Sequence, residues 1–335
     1  MDSPQTSNGG DVDGPPSYFF VAVSTKQNLD LCREYGLAGF PGSQNGAWTF
    51  ADIEVGDYVS FVYGANAYDL YEVGDKRAVL NAEDLPPWPP LELTRGGTYH
   101  FPFRLDLQPK RTLEENLVRS EFRYIAENLL LRGGYSRSHF QADKTTLQQV
   151  SQMGRIETTR EISADWSSEE GTTHWVRRRG DFHPPEVNKF IEEILHVLLR
   201  RRLSTQTGLA EFAQLTGFSE VQDQEMEVLG ERALPEGHLD ILLKDSEPVG
   251  RSVRLPIEVK LNRCDDDDLQ QLRNYMTQLQ PECPGGVLLA ETIPRDFDVP
   301  DDVALLRATF SGVDMGEPRT IPEMEKALTL ERVER

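Results

Sequence analysis

GHLDILLKDSEPVGRSVRLPIEVKLN, residues 237–262, decides how this chain is read. Two apolar runs, 241–243 and 253–259, are joined by a turn rich in Asp, Ser, Pro and Gly, which predicts a β-hairpin. Side chains alternate along a strand, so Glu258 and Lys260 share one face and Val259 takes the other. If 239–244 pairs with 253–260, Asp240 near the start of the first strand lies beside Glu258 and Lys260 at the end of the second. Two carboxylates and an ammonium then meet at one edge of a sheet. Hard divalent cations take carboxylate oxygens, so Asp240 and Glu258 are candidate ligands for Mg²⁺ or Mn²⁺, with Lys260 beside them as a fixed positive charge. The plainer alternative makes Asp240 a turn cap and Glu258–Lys260 a surface ion pair worth under about 1 kcal/mol. It leaves unexplained why both charges interrupt the apolar run LPIEVKL.

These residues carry a resemblance. GHLDILL at 237–243 followed by IEVK at 257–260 resembles the PD-(D/E)XK nuclease superfamily, with Asp240 as the motif acid and Glu258 and Lys260 as the E-x-K pair. The prolines of that name are absent before Asp240; the G-x-x-D form is similar to the NucS-like and RecB-like branches. Downstream, LQQLRNYM places Gln271 and Tyr275 four apart on one helical face, as in the Q-x-x-x-Y motif of the RecB and lambda-exonuclease-like branches. Upstream, Pro185 and the stripe Val187, Ile191, Ile194, Leu195 and Leu198 predict a helix over 186–202, where many members carry a further acid. Glu192 and Glu193 both flank that stripe, and Glu193 is the favoured candidate. The strands GGVLLAET and VALLRATF complete an αβββαβ order, so the resemblance covers 185–312. It implies metal-dependent hydrolysis of DNA by an endonuclease. Asp240 and Glu258 would hold Mg²⁺ or Mn²⁺, Lys260 would position water or stabilise the transition state, and Gln271 and Tyr275 would support the site. None of the six histidines is required, and His238 reads as a packing or DNA-contacting residue rather than a ligand.

The first half reads differently. From 18 to 107, short apolar runs such as YFFVAV and YVSFVY alternate with Gly, Pro, Asn and Asp turns, which predicts mostly β structure within a mixed α+β chain. A helix is expected over 112–134, opened by Thr112 and Glu115 in capping-box positions. Asn28 after the first strand, Trp48 after a Gly-rich loop and the I-x-x-GD-x-V-x-F segment at 53–62 look like the EVE and YTH members of the PUA-like group. That resemblance implies a PUA-like β-barrel with helices, holding a modified base in an aromatic cage, since stacking on an aromatic face is worth about 1–3 kcal/mol per base. The candidates for binding the base are Asn28, Trp48, Trp88, Tyr63 and Tyr99, with core packing the stronger reading for Tyr63.

The expected organisation is a disordered tail at 1–16, a base-reader domain at 17–150, a linker at 151–184, a nuclease domain at 185–315 and a C-terminal helix or tail at 316–335. Asp and Glu number 56 against 35 Lys and Arg, a formal net charge of −21. Alone, that field repels nucleic acid, but an acidic, lysine-poor surface also suits a high-salt cytoplasm where charge is screened within a few ångströms. Three cysteines at no ligand spacing suggest neither disulfides nor zinc. With no long apolar run and no basic and apolar leader at the start, the expectation is a soluble cytoplasmic protein without a membrane partner. Together the two resemblances imply an endonuclease that senses modified bases in DNA within a restriction or defence system. The alternatives are a NucS-like endonuclease for mismatched or branched DNA, or an inert nucleic-acid-binding protein. Cutting both strands favours a homodimer.

Overall fold

A computed structural model of the chain describes residues 14–64, 66–85, 87–89, 91–92, 96, 98–113, 138–157, 168–222, 225–234 and 237–334. The fold is mixed α+β, with seven helices among the described residues. Of the helix expected over 112–134, Thr112 ends a strand and 114–134 lies outside the described residues.

The N-terminal sheet contains β1 (Tyr18–Ala22), β2 (Leu37–Phe40), β3 (Tyr58–Tyr63), β4 (Asn66–Val79), β5 (Phe103–Thr112) and β6 (His139–Ala142). They lie in the order β2-β5-β4-β3-β1-β6, with β1 and β3 parallel and the other pairs antiparallel. Alternation in YFFVA sorts the side chains of β1: Phe19 and Val21 enter one core cluster, Tyr18 and Phe20 another. The end strands β2 and β6 do not pair with each other, so this is an open sheet rather than the expected β-barrel. Barrel closure needs the two end strands brought into register, and nothing local in their sequences encodes that. Helix α1 (Lys26–Tyr35) is capped by Thr25, and α2 (Gln44–Asp52) by Ser43. Helix α3 (Lys144–Val150) follows β6 directly.

The C-terminal sheet runs in chain order: β7 (Met226–Leu234), β8 (Gly237–Asp245), β9 (Arg254–Arg263), β10 (Gly286–Thr292), β11 (Val303–Phe310) and β12 (Leu328–Arg332). The pairs β9–β10 and β10–β11 are parallel, the rest antiparallel. Helices α4 (Glu192–Ser204) and α5 (Gln206–Thr216) precede it, α6 (Asp266–Gln278) follows β9, and α7 (Ile321–Ala327) precedes β12. Ile257 and Val259 pack with Leu195 and Leu198 of α4, whereas Leu288 packs with Leu272 and Tyr275 of α6. The sheet is thus covered on both faces, and Glu258, between Ile257 and Val259, is 0 % exposed. Among the described residues no helix is long and apolar enough to cross a membrane.

Two expectations change here. Helix α4 opens at Glu192 rather than at 186, because 187–189 forms a short strand parallel to 175–177, leaving Pro185 in the preceding turn. That pairing also gives part of the expected linker a fixed place, since Val176 bonds the backbone of Arg319. At the C-terminus α7 stops at Ala327, and Leu328 and Leu330 alternate into the core as β12 rather than continuing a helix.

The two sheets meet through buried polar contacts. Arg200 of α4 donates to Asp52 of α2, both to the carboxylate and to the main-chain oxygen (3.0 Å for the latter). Gln141 of β6 donates to Val228 O (3.1 Å) and accepts from Gly230 N (2.8 Å), serving the free edge of β7 as a neighbouring strand would.

Candidate active site

The hairpin forms in the expected register, with Ile241 opposite Ile257, which sets Asp240 across from Glu258. Asp240 Oδ2 accepts the Val259 amide at 2.8 Å, fixing that carboxylate against β9. Lys260 Nζ lies 2.9 Å from Glu258 Oε1, 3.5 Å from Asp268 and 3.8 Å from Glu192. Three carboxylates therefore surround one ammonium. Burial alone would lower the Lys260 pKa, but Glu258, Asp240 and Glu192 more than reverse this and hold it above its usual value. Burial pushes Glu258 up to about 8, reinforced by Asp240 and opposed by Lys260.

Glu258 is the unusual member. Its carboxylate is fully buried, and neither oxygen has a hydrogen-bond partner. The 2.9 Å contact with Lys260 is a charge pair lying outside hydrogen-bonding angles. A buried carboxylate with unspent lone pairs costs stability and has the chemistry of a ligand for a hard cation. The residues present therefore fit a divalent metal held by Asp240 and Glu258.

Helix α4 supplies the remaining groups. Glu192 Oε2 accepts the Leu261 amide at 2.9 Å, just past Lys260 on β9. Glu192, and not the favoured Glu193, is thus the acid from this helix that reaches the cluster. With the helix beginning at 192 rather than 186, the neighbouring residue points about 100° away. One turn on, His196 Nε2 stands 3.8 Å from Asp240 and Nδ1 3.3 Å from Glu231. The ligand atoms of His196, Glu231 and Asp240 all lie within 4.8 Å of one another, close enough to share an ion. Glu231 falls between the Gly230–Ile241 and Arg232–Leu239 pairs, directly across β8 from Asp240. Its φ of 53° is uncommon for a residue with a side chain. The sequence reading, which required no histidine, did not anticipate His196 beside Asp240. The Glu192–His196 spacing of four was the available signal, whereas Glu231 gave none, because its position depends on strand register.

The supporting pair is in place. Gln271 Nε2 donates to Tyr275 Oη at 2.9 Å, and Tyr275 Oη donates to His238 O at 2.8 Å, tying α6 to the strand just before Asp240. Burial raises the Tyr275 pKa, so it stays a neutral donor. Gly237, at φ 153°, sits where an added Cβ would lie 2.8 Å from Tyr275 Oη, so a larger residue there would displace this tie. The acidic run at 265–268 has local work as well: Asp265 caps α6 in a capping box with Asp268, and Asp268 faces Lys260.

The candidate base-binding residues do not come together. Trp48 is buried on α2 with its ring edge-on to His139 at 4.6 Å, in the cluster that contains α4. Trp88 belongs to the N-terminal core, packed on Phe101 with Arg104 over its ring. Asn28 is buried in α1, and Tyr63 is half-buried at the end of β3. Tyr99 lies in a short strand paired with 91–92, and its side chain is outside the described residues. Among the described residues, then, no aromatic cage is formed from these positions.

No protein-family model matches the chain, and no curated protein sequence matches it. Among solved structures, the chain is similar to EndoMS in a complex with dsDNA (23 % identity, TM-score 0.18, covering 26 % of this chain and 36 % of that one). It is also similar to a repair endonuclease from Pyrococcus abyssi (18 % identity, TM-score 0.19, covering 26 % of this chain and 39 % of that one). The chain therefore spans well under half the length of either.

Proposed function

We propose that this chain is a metal-dependent endonuclease that hydrolyses phosphodiester bonds in DNA. The observation that carries the reading is the convergence of Asp240, the fully buried Glu258 and Lys260 at one strand edge, closed from the other side by Glu192. Mg²⁺ or Mn²⁺, when bound, lowers the pKa of its water and polarises the phosphoryl group. Asp240 and Glu258 hold the cation, with Asp240 kept in place by the Val259 amide. Lys260 neutralises charge developing on the phosphate, and Glu192 fixes the β9 backbone beyond it. Gln271 and Tyr275 hold α6 against the strand that carries Asp240.

Recognition of a modified base has no comparable support, because Trp48 and Trp88 are buried in separate clusters. The test is cleavage of plasmid DNA by wild type and Lys260→Ala with Mg²⁺ or Mn²⁺, with one arm at high KCl because the acidic surface repels DNA less when screened. The reading expects nicked or linear product from wild type and a loss of about 100-fold or more in Lys260→Ala. Equal product from both proteins, or none from folded wild type with either metal at either salt, overturns it. Modified, mismatched and branched duplexes in the same assay report which DNA is preferred.

A further inference from the structure

Glu231 owes its place to the N-terminal sheet. Gln141 of β6 spends its whole amide there: Oε1 accepts Gly230 N at 2.8 Å and Arg200 Nη1 at 3.2 Å, while Nε2 donates to Val228 O at 3.1 Å and to Ser17 Oγ at 3.2 Å. The backbone is thus pinned at the residue before Glu231, which itself takes φ 53°. A residue with a side chain holds that conformation only where its surroundings over-determine it. Arg200 and His196 lie four apart on α4, so the contact that fixes Arg200 against Gln141 also sets the helix face presenting His196. The outcome is a buried pair, with Glu231 Oε1 3.3 Å from His196 Nδ1. A carboxylate only accepts, so it places the imidazole proton on Nδ1 and leaves the Nε2 lone pair on the side of Asp240, whose Oδ2 is 3.8 Å away. That separation is beyond hydrogen-bond length, and it lies on the carboxylate that faces the buried Glu258 across the hairpin.

We propose that Glu231 is a positioning residue for the cation site: by accepting His196 Nδ1–H it turns Nε2 towards Asp240 and adds one nitrogen to the oxygen ligands, so that the site takes Mn²⁺ or Co²⁺ in preference to Mg²⁺. Imidazole nitrogen favours transition ions, whereas Mg²⁺ keeps to oxygen. The inference rests on the reading of Asp240 and Glu258 as metal ligands and names the ion that such a site selects.

The metal-free full chain is titrated calorimetrically with Co²⁺ and with Mg²⁺, without DNA. Wild type is expected to bind Co²⁺ at least about tenfold more tightly than Mg²⁺. Glu231→Ala should lose about tenfold or more in Co²⁺ affinity, as partners of metal-bound imidazoles do, with Mg²⁺ affinity within about threefold of wild type. Glu231→Gln, whose amide oxygen accepts the same proton, should recover Co²⁺ affinity to within about threefold. Glu231→Ala added to His196→Ala should weaken Co²⁺ no further than His196→Ala alone, because one residue acts through the other. Melting curves establish that each variant is folded, and His196→Ala against wild type carries the comparison if Glu231→Ala is not. No binding of either ion by wild type overturns the metal-site reading and this inference together. Binding by wild type with Co²⁺ affinity unchanged in the folded alanine variants, or with both ions weakened equally, overturns this inference alone.

Discussion

Glu258→Gln should make the metal-free protein more stable while disabling it. The carboxylate is 0 % exposed, neither oxygen is hydrogen-bonded, and burial followed by Asp240 pushes its pKa up to about 8. An acid whose pKa is raised on folding binds a proton in the native state that the unfolded chain has released. The stability linked to that proton is fully present below the ordinary carboxyl value near 4.5 and is lost as pH rises through about 8. At its steepest the loss approaches about 1.4 kcal/mol per pH unit. Gln keeps the shape and removes the titration, whose cost builds at up to about 1.4 kcal/mol per pH unit, so its advantage at pH 8 in EDTA should be about 1–3 kcal/mol. For a chain of this size that is a rise of about 1–4 °C in melting temperature. Differential scanning fluorimetry from pH 5 to 8.5 in EDTA, repeated with Mn²⁺, reads all of this. Wild type should lose stability towards pH 8 and regain it with Mn²⁺, whereas Glu258→Gln should show a flatter pH profile and little response to the ion. A variant that melts below wild type at pH 8 in EDTA would refute the reasoning, because Glu258 would then be a stabilising partner of Lys260 rather than a strained ligand.

Glu192→Ala should lower cleavage by about tenfold or more through the loosened β9 end, while Glu193→Ala leaves it within about twofold, a comparison made on one labelled duplex. Arg200→Met breaks a buried ion pair with Asp52 and should cost about 3–5 kcal/mol in urea unfolding. Burial would raise the Asp52 carboxyl, but Arg200 and His139 more than offset it and hold it below the usual range. The stability it contributes is therefore present above about pH 4 and lost as pH falls further, and Asp52→Asn should flatten that acid limb of the unfolding curve. Gln141→Ala should speed amide exchange in β7, most at Gly230, whose N–H it accepts.

The hairpin was legible because each of its signals is local. Period-2 alternation, a turn rich in Pro and Gly, and the placement of Asp240, Glu258 and Lys260 need no knowledge beyond residues 237–262. Gln271 and Tyr275 were legible for the same reason, being one helical turn apart. The sequence left Glu192 open beside the favoured Glu193, because helix phase depends on where the helix starts. Its start is set by a strand pairing with 175–177 that the sequence does not announce. Glu231 depends on a register across β7 and β8, and it became visible only with both strands in place. The open first sheet, and the burial of Trp48 against α4, follow from long-range pairing and from packing between the two sheets. At the C-terminus the charged residues of LTLERVER read as helical, while the two leucines facing the core made it a strand.

Mn²⁺ titrated into a reaction of labelled duplex DNA with wild type and Asp240→Asn tests most directly whether the residues at 240, 258 and 260 act together on a phosphodiester. Cleavage that rises and saturates with the ion in wild type, and is at least about 100-fold slower in a folded Asp240→Asn, is the expected result. Cleavage independent of the ion, or undiminished by the substitution, would contradict the account.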